Sequence, residues 1–112
     1  MKAIMGWLCA SFVLTALFVP AVSDASYPWI EVTSYKCTTQ SQWVTVAWDD
    51  PSNPSPADYV EVGSAAFGWQ PFGYGNSGQV TEYPITRGVE YEFVLFNSGG
   101  SRLAEASYGC QP

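Results

Sequence analysis

The chain contains no histidine, so the commonest general base, metal ligand and triad member is missing from its 112 residues. Thiol chemistry rests on Cys9, Cys37 and Cys110. Cys9 sits in an apolar N-terminal run, which leaves Cys37 and Cys110 for the folded part. Carboxylates remain, but a glycosidase needs two of them facing across a cleft, and no pair is marked out by spacing. The inventory therefore points away from an enzyme and asks for no cofactor. Asp49, Asp50 and Asp58 flank the proline-rich stretch DDPSNPSPA. Clustered oxygen ligands suit calcium, yet this spacing matches no EF-hand loop. The preferred reading is of turn residues that cap backbone amides and stay solvated, with no metal site. The densest group of candidate ligand-binding side chains is Phe67, Trp69, Phe72 and Tyr74, interleaved with Gly68, Pro71, Gly73 and Gly75. Such rings give large contact area at low entropy cost and suit a platform on which a sugar or a partner's side chains rest. The alternative is a lid that buries its aromatics over an open sheet edge. Trp43 and Tyr83 extend the platform if they face outward on their strands.

The two ends set the compartment. Lys2 precedes Ala3 to Val22, which is almost wholly apolar, and Pro20 is followed by small residues at Ala21, Ser23 and Ala25. This is the layout of a secretory signal peptide over residues 1–25, cleaved after Ala25 or, alternatively, after Ser23. An uncleaved membrane anchor is the competing reading, since about 20 apolar residues span a bilayer. Residues 26–112 then make one domain in an oxidising compartment, where Cys37 and Cys110 can form only one internal bridge. Closing so long a loop contributes about 4 kcal/mol by chain entropy. Free or intermolecular thiols are the other possibility. The formal net charge is −6. With Lys36, Arg87 and Arg102 as the only cations after the signal, nucleic-acid and anionic-membrane binding are disfavoured.

Elements that would position these residues are all strands. β-branched and aromatic runs alternate with Gly, Pro, Ser and Asn clusters, and no helical period is present after the signal. Strands are expected at Trp29–Ser34, Trp43–Trp48, Tyr59–Gly63, Val80–Ile85, Glu90–Phe96 and Arg102–Tyr108. Val44, Val46 and Trp48 share one face of the second, and Val60 and Val62 point inward from the third. Asp49–Ala57 is a loop because its prolines remove ladder donors. Ala65–Gly78 reads as a Gly-rich aromatic loop with one short strand at Phe67–Gln70. Glu90–Phe96 is apolar on both faces, as in a covered central strand, and Ser98–Ser101 is a hairpin turn. This predicts an all-β, seven-stranded antiparallel β-sandwich with one disulfide.

Four segments carry a resemblance. Pro28 with Ile30 and Val32, the run Val44-Thr-Val-Ala-Trp48-Asp-Asp-Pro51, the corner Ile85-Thr-Arg-Gly88-Val-Glu-Tyr91-Glu-Phe93, and the turn Asn97-Ser-Gly-Gly-Ser101 are together similar to a fibronectin type III domain, or a looser immunoglobulin-like sandwich. The resemblance implies structural roles for Trp48 as core anchor and for Tyr91 and Phe93 at the corner, where the Tyr91 hydroxyl bonds upstream backbone. It carries no catalytic residue. The expectation for function is a small secreted extracellular binding module. Its partner is expected to be an extracellular protein or, alternatively, a glycan bound through Phe67 to Tyr74. Neither nucleic acid nor, after signal cleavage, a membrane is expected as a partner.

Overall fold

A computed structural model describes residues 27–112. The segment read as a signal peptide, with both cleavage positions, lies outside the described residues. The described residues form seven strands and no helix: β1 (Trp29–Cys37), β2 (Gln42–Asp49), β3 (Tyr59–Ser64), β4 (Gly68–Tyr74), β5 (Ser77–Pro84), β6 (Glu90–Phe96) and β7 (Arg102–Gly109). They pair into two antiparallel sheets, ordered β1-β2-β5 and β4-β3-β6-β7. The described residues are an all-β sandwich closed by one disulfide.

Period-two alternation builds the core. Val44, Val46 and Trp48 of β2 meet Val60 and Val62 of β3 and Tyr91, Phe93 and Leu95 of β6, all buried between the sheets. Each such side chain contributes about 1.5–3 kcal/mol relative to exposure. Ile85 enters the same core at the crossover from β5 to β6. There Gly88 takes φ 85°, a left-handed value that favours glycine. The Thr86 N–H donates to the Tyr91 hydroxyl at 2.8 Å and pins the corner. The Gly88 N–H donates to the Cys110 carbonyl at 2.7 Å. Cys37 and Cys110 are joined with Cα atoms 5.7 Å apart across a separation of 73 residues. The Arg87 guanidinium donates to the Gln111 carbonyl at 2.7 Å and to the Thr38 carbonyl, so it ties the corner to the C-terminal tail and to the β1–β2 turn.

Four local expectations are corrected. First, β1 runs on to Cys37 instead of stopping at Ser34. A bulge between Val32 and Ser34 breaks the two-residue period, and pairing resumes from Ser34 to Cys37. Second, Ala65–Gly78 is not a loop with one short strand. It holds the turn Ala65–Phe67, all of β4 and the start of β5. Two of its glycines, Gly73 and Gly78, are clearance for tryptophan, while Gly68 and Gly75 take the left-handed φ of the turns. A Cβ on Gly73 would lie 2.4 Å from the Trp48 ring, and one on Gly78 would lie 2.7 Å from it. Pro71 fits because β4 is an edge strand. Third, Tyr83 faces the core, not solvent. A bulge opposite Val44–Val46, where Glu82 takes φ 50°, puts Val80 and Tyr83 on the same face although they are three residues apart. Its ring meets Phe72 edge-on at 4.9 Å, and burial pushes its hydroxyl pKa up. Fourth, Asp50 and Asp58 do not stay solvated. They are 2% and 1% exposed where the Pro-rich loop folds against the β4–β5 connection. The Asp50 N–H donates to the Asn76 carbonyl and the Gly75 N–H to the Asp58 carbonyl, both at 2.8 Å.

Candidate functional site

Register places one set of side chains on the outer face of the four-stranded sheet. Val60 and Val62 point inward from β3, so Tyr59, Glu61 and Gly63 point outward. Opposite them stand Tyr74, Pro71 and Trp69 on β4 and Phe96, Val94 and Glu92 on β6. β7 adds Arg102, Glu105 and Ser107 opposite Phe96, Val94 and Glu92. The face is therefore aromatic at both ends of β4 and acidic along β6 and β7.

Trp69 is the centre of it. A Cβ on Gly63 would lie 2.6 Å from the indole, so the ring leans over Gly63, where any other residue would displace it. From β7 the Arg102 guanidinium reaches over the same ring, 5.6 Å from its centroid. Its Nη1 pairs with Glu92 and with Glu105, each at 3.2 Å. Both pairs are well exposed, so their contribution is positional more than energetic. Beneath this arrangement Val94 is fully buried although it points away from the inter-sheet core. On β6 it sits between Glu92 and Phe96, so the Arg102–Glu92 ion pair spans its position in the register.

The four candidate ligand-binding residues separate. Trp69 is 48% exposed and Phe67, at the β3–β4 turn, is 53% exposed. The Phe67 N–H donates to Ser64 Oγ at 2.9 Å, which holds the turn. Tyr74 is 74% exposed at the other end of β4, beside Tyr59, whose ring stacks on Phe96 at 5.1 Å. Phe72 turns inward and packs edge-on against Trp48 and Phe93. β4 thus splits platform from lid: Trp69 and Tyr74 stand outside while Phe72 fills the core. Trp43, on β2 in the other sheet, is half-buried and far from this group in the strand order.

Two recesses open near the β3–β4 turn, and Trp69 lines the first of them. A groove of about 450 Å³ runs between Ser64, Trp69, Glu90 and Glu92. A cleft of about 220 Å³ opens at the β4–β5 side of the sandwich, between Phe67 and Gln70 on one wall and Tyr83 and Pro84 on the other. Among the described residues no three Cys, Asp or Glu side chains gather as a metal cage. Asp50 and Asp58 do meet: burial, then a hydrogen bond with Asp50 and its charge, raises the Asp58 pKa, partly offset by a bond from Ser55 backbone. Asp58 Oδ2 is buried without a hydrogen-bond partner. This pair is a loop feature on a different part of the sandwich from the Trp69 face.

The chain matches no protein-family model, no curated protein and no solved structure. Function is accordingly argued from the face itself. Sequence reasoning singled out Trp69 and Tyr74 but not Arg102, Glu92, Glu105, Tyr59 or Phe96. The available signal was the alternation of Glu90, Glu92, Val94 and Phe96 along β6, which read only as a covered strand.

Proposed function

We propose that this chain is a small, non-enzymatic extracellular binding module whose ligand face is the outer side of the four-stranded sheet around Trp69. The order of strands in the two sheets supports a fibronectin III-like or immunoglobulin-like scaffold, and that part of the reading is an analogy of fold. The Cys37–Cys110 bridge suits an oxidising compartment, and the apolar N-terminal segment supplies a route to it. The observation that carries the reading is Trp69: a large ring kept half exposed on a rigid strand, braced by Arg102. Aromatic and Arg side chains are the usual centres of protein interfaces.

A protein partner is favoured over a glycan because the indole has Gly63 under one face and the Arg102 guanidinium over the other. A stacked sugar needs a ring face free. Tyr74 keeps the glycan reading as the second choice, since its ring stands out in solvent. A photo-crosslinking residue at position 69, compared with one at position 36 on the other sheet, tests the proposal in the medium of the producing cells. A protein captured through position 69 and not through 36 is expected. Equal capture from both positions refutes the assignment of the face. A glycan array with wild type and Tyr74→Ala covers the second reading: a signal lost only in the variant would replace protein with sugar.

A further inference from the structure

We propose that the groove beside Trp69 receives an arginine side chain of the protein partner, seated between Glu90 and Glu92; the inference rests on the reading of this face as the ligand face. Charge complementarity comes first. The outer face carries Glu61, Glu90, Glu92 and Glu105 against a single cation, Arg102, in a chain of net charge −6. Arg102 is committed to Glu92 and Glu105. Among the described residues Glu90 and Glu61 have no ion pair. A surface with this imbalance repels anionic partners and draws cationic ones.

The choice of arginine comes from the chemistry of the groove. Its walls are an indole, two carboxylates and the Ser64 residue, and Arg102 does not line it. At the same tryptophan, Arg102 already shows what such a combination holds: a guanidinium over the ring with a carboxylate of Glu92 at 3.2 Å. The groove sets Glu90, whose carboxylate lies over Gly109, and Glu92 beside the same indole. A planar guanidinium lies along the rim of the indole and offers a rigid fork of N–H donors to the two carboxylates, whereas a lysine ammonium is a compact, strongly hydrated point charge. The volume of about 450 Å³ accommodates the side chain together with the water around its exposed edge.

The test uses the whole chain, labelled with nitrogen-15, and a blocked pentapeptide with a single central arginine flanked by glycine and serine. The Trp69 indole N–H resonance reports binding. Saturable shifts are expected with the arginine peptide and none with the isosteric neutral citrulline peptide. Glu90→Gln, an exposed position whose change leaves the Arg102 pairs intact, is expected to weaken binding at least fivefold. Glu82→Gln on the other sheet removes the same charge and is expected to leave affinity within twofold. Equal response to citrulline, equal affinity for a lysine peptide, or no difference between Glu90→Gln and Glu82→Gln overturns the proposal. Failure of the arginine peptide, together with specific crosslinking through position 69, rejects the arginine site and leaves the face. Failure of both rejects the face as well.

Discussion

Trp48 and Trp69 each lie on glycine, one inside the sandwich and one outside it. Trp48 is held by Gly73 and Gly78 and by its indole N–H, which donates to the Gly75 carbonyl at 3.1 Å. Gly73→Ala puts a methyl group into that ring, and a loss of about 1–3 kcal/mol is expected by denaturant unfolding. The inward face of Trp48 was readable from alternation along β2. Its glycine seat was not, because Gly73 belongs to the facing sheet and glycine in sequence signals a turn. Asp58 is the other residue whose state follows from its surroundings. Its folded pKa is raised above 3.8, so the folded chain holds the proton more tightly than the unfolded chain does. The stability it contributes is therefore full in acid and is lost as pH rises through the folded pKa. Asp58→Asn removes this dependence. The variant is expected to gain about 1–3 kcal/mol at pH 7, the usual cost of an unsatisfied buried group, and little at pH 3. Thermal melts at the two pH values check it; a variant less stable at pH 7 speaks against the buried-acid account.

At the scale of elements, the corner between β5 and β6 was the clearest signal in the chain. Gly88, Tyr91 and Phe93 follow one another at spacings that suit a sheet-to-sheet crossover, and the Thr86–Tyr91 bond closes it. Tyr91→Phe deletes that bond and is expected to cost about 1 kcal/mol. An unchanged unfolding midpoint contradicts the role. The edge strands were harder to read. β4 contains Pro71 and two glycines, and β1 and β5 carry bulges, so each departs from simple alternation. The bulge in β5 is also why Tyr83 packs inward with Phe72 instead of extending the outer patch. Half of the candidate site was legible for the same reason. Trp69 and Tyr74 belong to a conspicuous aromatic run, while Arg102 and Glu92 reach them only through pairing of β4 with β3, β3 with β6 and β6 with β7. No local pattern encodes a contact between the first and last strands of a sheet.

The whole molecule is a thin sandwich with its two sheets tied together at one end. Cys37–Cys110, the Gly88–Cys110 bond and the Arg87 bridges all gather where β1, the corner and the tail after β7 meet. Tyr35 and Tyr108 lie against each other on the same side, with ring centroids 5.0 Å apart. Replacing both cysteines by serine is expected to cost about 4 kcal/mol, given the long loop they close. A small domain with so modest a core feels most of that loss. A melting temperature unchanged on reduction counters the argument. The β3–β4 turn and the two recesses open at this same end, since Ser64 pairs with Tyr91 and the recess walls include Pro84, Thr86 and Glu90; Trp69 stands beside them on the outer face of the four-stranded sheet. The central claim is that binding resides on this outer face. Its most direct measurement is the affinity of the partner captured by the wild-type chain for Trp69→Ala, set beside Trp43→Ala on the other sheet. At least tenfold weaker binding for Trp69→Ala, as for an interface hot spot, and less than twofold for Trp43→Ala are predicted. Equal affinities for the two variants would contradict the account.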